Sequence, residues 1–415
     1  MNPRLDRLNP YPFEKLRALL GGIEPPAGLA PISLGIGEPQ HPTPALIKDA
    51  LAANVQGLAR YPMTLGLREL RTAIAQWLAR RYGLASIDAD HEVLPVLGTR
   101  EALFSIGQTL IDPDERGAVV MLPNPGYQIY EGAAILGGAK PHYVNAHAAR
   151  GFASDWDAIP AETWRATRLV YTCSPHNPTG RVMPLAEWKR LFELSDKYGF
   201  VLVSDECYSE IYFDEGARPL GALRAAKELG REGFPRLVVM GSLSKRSNAP
   251  GLRSGFAAGD RALLARFVLY RMYHGSQMSN TVQMASIAAW NDEAHVVENR
   301  RLYREKFATF YEKVNPVLPL TMPEAGFYFW ADVGRACPGN PEAGDDAAFA
   351  AALFAATGVT VLPGSFVGRE ADGVNPGRGY VRMALVSTLA DANEAATRIA
   401  AFARSLEPSL SASRG

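Results

Sequence analysis

The chain has 415 residues, 47% of them apolar and 21% charged, with 43 basic residues against 43 acidic ones. That length and balance suit a soluble protein of two domains, and a net charge of zero gives nucleic acid or an anionic membrane no long-range attraction. Cys173, Cys207 and Cys337 stand far apart with no CxxC pair, and the seven histidines lack HExxH spacing, so neither disulfide staples nor a metal site is expected. No signal-peptide h-region opens the chain and no run approaches a membrane span, which makes the cytoplasm the expected location.

Residues 1 to about 30 hold Pro3, Pro10, Pro12, Pro25 and Pro26 around one short helical pattern at 13–20, the texture of an arm laid on a surface. Residues 32–39 read as a short strand breaking into a turn, and Pro42 and Pro44 introduce a helix at 45–53. Gly35-Ile36-Gly37 lacks the third glycine of a dinucleotide fingerprint.

From about 65 to 290, helical patterns alternate with apolar runs at 92–97, 118–122, 168–172, 200–204 and 237–240. Runs apolar on both faces predict a mainly parallel sheet wrapped by helices, an α/β fold. Each run is followed by polar or special-geometry residues: Gly98-Thr99-Arg100-Glu101, Pro123-Asn124-Pro125-Gly126-Tyr127, Ser174-Pro175-His176-Asn177-Pro178, Asp205-Glu206-Cys207-Tyr208 and Ser242-Leu243-Ser244-Lys245. Ligands of open α/β sheets bind at the carboxyl ends of strands, so these five loops are expected to share one crevice.

After about 290 the texture changes to a charged helix at 298–314, a strand at 326–330, an alanine-rich helix at 346–356, strands at 359–362 and 379–386, and a closing helix at 391–404. This predicts a smaller α+β domain. The expected division is an arm and part of the small domain at 1–45, a large cofactor-binding domain at 46–290 and a small C-terminal domain at 291–415. The last ten residues are small and polar and are expected to fray.

Within the crevice, Lys245 follows a buried strand and sits among Ser242, Ser244 and Arg253. A lysine amine forms Schiff bases with carbonyls once its surroundings lower its pKa. Two hydroxyls and a guanidinium fork can hold a phosphate dianion. A carbonyl carried on a phosphate points to pyridoxal phosphate (PLP), although the local spacing alone fits a basic surface loop equally well.

Taken in order, these motifs resemble the PLP-dependent aminotransferases of fold type I, in the branch related to aspartate aminotransferase, over about residues 34–386. The resemblance implies that Lys245 carries the cofactor and, once displaced, moves the proton at the substrate Cα. It implies that Asp205 pairs with the pyridine nitrogen, that Tyr208 and Asn177 donate to the phenolic oxygen, and that Tyr127 stacks on the ring. The phosphate would lie on the helix N-terminus at Thr99 and Arg100 with Ser242, Ser244 and Arg253, the side chain of Arg100 being left unassigned. Arg382 would hold the substrate α-carboxylate, helped by Asn177 and by the main chain at Gly37, with closure of the domains completing the site. Tyr61 resembles the tyrosine that reaches the phosphate from a neighbouring subunit, which implies a homodimer with shared active sites.

The openings at 8–16 and 33–42 and the segment 245–253 look like those of the bacterial succinyldiaminopimelate aminotransferases. That resemblance implies amino exchange between glutamate/2-oxoglutarate and N-succinyl-2-amino-6-oxopimelate/N-succinyl-LL-2,6-diaminopimelate in lysine biosynthesis. A general aspartate-, aromatic- or alanine-type aminotransferase and a PLP-dependent cysteine-S-conjugate β-lyase are the alternatives. A long acylated substrate calls for a second cation, for which Arg246 and Arg271 are candidates; His176 is expected to be a loop residue without a catalytic role. A transcription regulator is disfavoured, because no basic recognition-helix segment is present.

Overall fold

The computed structural model describes residues 1–334 and 345–406. Cys337 and residues 407–415 of the expected frayed tail lie outside them.

Seven strands form the main sheet, in the order Val93–Val96, Gly255–Gly259, Leu237–Ser242, Val201–Asp205, Thr167–Cys173, Val119–Asn124 and Lys140–Asn145. Gly255–Gly259 runs antiparallel to both of its neighbours and the other pairings are parallel. Val201–Asp205 and Leu237–Ser242 are buried at every position. Their β-branched apolar residues suit a sheet covered on both faces.

Two strands escape the sequence reading, for different physical reasons. Lys140–Asn145 is an edge strand and only Val144 is fully buried, so Lys140, His142 and Asn145 hide its apolar pattern. Gly255–Gly259 reads Gly-Phe-Ala-Ala-Gly, a composition without β-branched residues. Close backbone approach explains it: a Cβ at Gly259 would stand 2.1 Å from the Leu237 carbonyl oxygen and one at Gly255 2.5 Å from that of Gly241.

Helices bury apolar stripes on both faces of this sheet. On one side Leu70, Ile74, Trp77 and Leu78 of Arg68–Tyr82 pack with Trp188, Trp290 and Phe256. On the other, Leu103 and Ile106 of Thr99–Leu110 pack with Tyr130, Ala133, Leu264 and Phe267. These stripes hold the first turn of Thr99–Leu110 at the strand ends, where the crevice forms.

A separate core gathers Phe307 and Phe310 of the helix Ala294–Val314, Phe349 and Leu353 of Asp346–Thr357, and Ala395 and Ile399 of Leu389–Leu406. They pack on a three-stranded antiparallel sheet, Leu362–Pro363, Tyr380–Ala384 and Tyr328–Asp332. The single strand expected at 359–362 is divided, because Val359–Thr360 turns away to pair with Ile32–Ser33 near the N-terminus. That pairing anchors the segment leading to Gly35 and Gly37 beside Arg382. No helix among the described residues is long and apolar enough to cross a membrane.

Candidate active site

A cavity of about 520 Å³ opens at the carboxyl ends of the central strands. Every residue expected to hold the cofactor or the substrate α-carboxylate except Ser242 and Tyr61 lines it, together with Pro12, Phe13, Ile36, Glu38, Cys173, Cys207, Tyr130, Tyr328, Leu362 and Val367, among others.

Lys245 stands in the four-residue helix Leu243–Arg246, whose N-cap Ser242 accepts from the Ser244 N–H. Its Nζ donates to the Gly37 carbonyl at 2.6 Å and lies 5.2 Å from the Phe327 ring centroid. Burial lowers the amine from its ordinary 10.5 to about 8; the charges of Arg382 and Arg100 act in the same direction, while Cys207 and Glu38 oppose it. A sizeable fraction of neutral amine is therefore present near neutral pH, as a nucleophile or base requires.

Asp205 ends its strand buried at the cavity floor. One carboxylate oxygen accepts from the Tyr130 hydroxyl at 2.8 Å and the other from the Cys207 N–H at 3.2 Å. Burial pushes its carboxyl upward, and these donors oppose that. Asp205 has no ion pair among the described residues, and a cationic N–H arriving beside it would favour its charged form.

Tyr127 forms one wall, its hydroxyl accepting from Arg100 Nε at 2.7 Å. The hydroxyls of Tyr208 and Tyr328 lie 3.0 Å apart. Arg382, 5% exposed in the middle strand of the small sheet, lies 4.4 Å from the Tyr328 ring centroid. Its Nη2 donates to the Gly35 carbonyl at 2.9 Å and its Nη1 to Asn177 Oδ1 at 3.1 Å, while its buried Nε has no partner. A buried guanidinium with a spare donor is prepared for a planar anion. Gly37 must be glycine, since a Cβ there would stand 2.1 Å from the Tyr328 hydroxyl.

Another part of the lining gathers donors suited to an anion. The helix Thr99–Leu110 starts with no side-chain cap, leaving first-turn N–H groups for a ligand. Gly98, at φ +77°, lets Arg253 approach, because a Cβ would stand 2.6 Å from its Nη2. Carbonyls of Pro250 and Leu97 hold that guanidinium at 2.8 and 3.0 Å, and Ser244 adds a hydroxyl to the lining.

The Ser242 hydroxyl faces Ser244 and the Ser254 carbonyl, each at 3.0 Å. Thr99 lines the cavity with its hydroxyl turned to Cys207 Sγ at 2.7 Å. Arg246 is sealed between Trp77 and Trp290 and paired with Glu293. Arg271 is paired at 2.6 Å with Glu101 of the helix Thr99–Leu110. Neither reaches the cavity, because each neutralises a carboxylate elsewhere. Arg100, left unassigned, does line it, as do Lys245, Arg253 and Arg382. His176 is buried and joins two strand-end loops, with Nε2 3.1 Å from the Pro125 carbonyl and Nδ1 2.8 Å from the Thr179 hydroxyl.

Tyr130 and Tyr328 were missed. Tyr130 lies in the first turn of the helix Gln128–Gly137 that Tyr127 caps, and its ring meets that of Tyr127 edge-on at 5.7 Å. Tyr328 is the one hydroxyl in the run Phe327-Tyr328-Phe329.

Fold and site together define a transferase scaffold, and the chain belongs to the class I and II aminotransferases, whose family description it matches over residues 30–399. It is 34% identical over 388 residues to the LL-diaminopimelate aminotransferase of Desulforudis audaxviator, covering 92% of each chain. A solved aminotransferase from Neisseria meningitidis is 52% identical with a TM-score of 0.91, covering 97% of this chain and 99% of its own. A probable N-succinyldiaminopimelate aminotransferase from Thermus thermophilus is 27% identical with a TM-score of 0.81, covering 94% and 100%. The family's cofactor is PLP. The cavity fits it, with donors suited to an anion, an unpaired buried carboxylate, an aromatic wall and a buried amine.

Proposed function

We propose that the chain transfers the amino group of N-succinyl-LL-2,6-diaminopimelate to 2-oxoglutarate, and the reverse, within diaminopimelate and lysine biosynthesis. Bound PLP supplies an aldehyde that exchanges with amines and a ring that takes up the electrons of the broken Cα–H bond. Lys245 would hold that aldehyde and, when freed by substrate, take the Cα proton. Asp205, its carboxylate oriented by Tyr130, would keep the ring nitrogen protonated, and Tyr208 and Asn177 would steady the phenolic oxygen. The main-chain N–H groups of Thr99 and Arg100, the Ser244 hydroxyl and the Arg253 guanidinium would receive the phosphate, leaving the Arg100 side chain for substrate. Arg382 grips the substrate carboxylate next to the reacting carbon, and the Gly37 main chain closes over it.

The observation that carries the substrate assignment is Arg100. Among the described residues it makes no ion pair and uses only Nε, on Tyr127. Its charge is felt by Lys245 together with that of Arg382, so an amine at Lys245 has one guanidinium for the carboxylate beside the reacting carbon and a second for one of the two more distant carboxylates of the succinylated substrate. The same cavity is lined by the apolar Pro12, Phe13, Leu362 and Val367, suited to a methylene chain and an uncharged amide. A second reading, direct transfer from LL-diaminopimelate, is favoured by the names of the relatives and by Glu38 at the cavity, which could meet a far-end ammonium. Relative kcat/KM for the succinylated and free diamino acids separates the two, and a larger value for the free one overturns our assignment. Arg100→Gln is expected to lower kcat/KM for glutamate and the succinylated substrate about 10–100-fold, as loss of a charged hydrogen bond does, and for alanine by less than about threefold. An equal loss for all three would assign Arg100 to the cofactor alone.

We also propose a homodimer with shared sites. Tyr61 is 101% exposed and outside the cavity, and Val55, Leu58, Met63, Met272 and Tyr273 are exposed as well, an apolar set suited to cover by a second copy. Sedimentation equilibrium should give twice 45.0 kDa; a stable monomer with full activity overturns this.

A further inference from the structure

The helix that carries Lys245 has only four residues. A single turn does not sustain itself, and its last carbonyls have no partner within the helix. The Ser247 N–H returns to the Leu243 carbonyl at 3.0 Å. The carbonyls of Lys245 and Arg246 are both taken by Asn299, whose Nδ2 donates to them at 3.2 and 3.3 Å.

Asn299 is 2% exposed on the 21-residue helix Ala294–Val314. Its Oδ1 accepts from Asn248 Nδ2 at 2.8 Å and lies 2.9 Å from His41 Nδ1. An amide oxygen only accepts, so His41 carries its proton on Nδ1. His41 also packs 4.7 Å from the Tyr303 ring, with Lys306 and Glu298 the charges acting on it. Four residues before His41 stands Gly37, whose carbonyl accepts from Lys245 Nζ. One loop therefore reaches the lysine twice, at its amine through Gly37 and at its main chain through His41 and Asn299.

We infer that Asn299 is a positioning residue for Lys245, pinning the lysine's main chain to the long helix and, through His41, to the loop that holds its amine. The pin leaves the side chain free to leave the Gly37 carbonyl while the Cα it swings from stays in place. This rests on the reading of Lys245 as the base.

The test uses Asn299→Leu and, in case that variant does not fold, His41→Phe, which keeps a ring against Tyr303 and removes the donor. Lys245 is labelled in the cofactor-free protein with an amine-selective reagent across pH and quantified by peptide mass spectrometry. The parent should label with a midpoint near the amine's value of about 8. Burial is the chief cause of that value, and the charged groups that modify it, Cys207, Arg382, Glu38 and Arg100, are unchanged in both variants. Loosening of the turn lets water reach the amine, so the midpoint should rise by about one pH unit in Asn299→Leu and by a smaller amount in His41→Phe. Loaded with PLP, Asn299→Leu should lose about 10–100-fold in kcat, the effect of a misplaced reacting group, with KM for the amino donor changed less than about threefold. Parental labelling and kcat in folded variants overturn the inference; if only His41→Phe folds, its labelling midpoint decides. Lys245→Ala with parental turnover would overturn the base reading instead, and the labelling arm, run without cofactor or substrate, would still decide the role of Asn299.

Discussion

Lys245→Ala is expected to lower kcat about 10⁴-fold or more while the protein stays folded. Positioned acid–base catalysis contributes roughly 10²–10⁴-fold by itself, and the same substitution removes the amine that would hold the cofactor's aldehyde. The fold should tolerate the change, because the side chain's hydrogen bond is to one carbonyl, that of Gly37. Stability gives an independent check. The folded amine titrates at about 8, below the unfolded value of 10.5. The unfolded chain therefore binds the extra proton between those values, and this group makes the cofactor-free protein more stable as pH rises from about 8 to 10.5. Lys245→Ala should flatten that part of a denaturation-midpoint profile. Parental turnover in the variant would contradict the mechanism.

Arg382→Ala is expected to lower kcat/KM about 10²–10³-fold, or ~3–4 kcal/mol, the effect of removing one partner of a buried charged pair. The loss should be similar for glutamate, alanine and the succinylated substrate, because each presents the same carboxylate to this guanidinium. Arg382→Lys keeps the charge but not the planar fork that also serves Gly35 and Asn177, so most of the loss should remain. Steady-state kinetics with the three donors checks this, and a loss confined to the long substrate would move Arg382 to the distal end. The contrast with Arg100→Gln, whose effect depends on a more distant carboxylate, assigns the two guanidinium groups to different carboxylates.

The strand ends were legible because a sheet covered on both faces leaves runs such as Val201–Asp205 nearly pure in apolar residues, and the polar residues after them stand out. Gly255–Gly259 was hidden because its neighbours come so close that only small residues fit at its ends, and small residues carry no strand signature. Side-chain destinations were less legible than positions. Arg246 stands next to Lys245 in the chain, yet helical geometry sends it backward between two tryptophans. Arg100 came forward only because Gly98 and the uncapped helix start turn that residue toward the cavity. The partners Tyr130, Tyr328 and Asn299 act through contacts between segments distant in sequence, which no local pattern records.

The most direct test is a single half-reaction. Holoenzyme is mixed with glutamate in the absence of any 2-oxo acid, and the visible absorbance of the bound cofactor is followed. Glutamate should bleach that band, and N-succinyl-2-amino-6-oxopimelate should then restore it with formation of the succinylated diamino acid. A band that glutamate leaves unchanged, or that the succinylated oxo acid does not restore while other 2-oxo acids do, would contradict the proposed reaction.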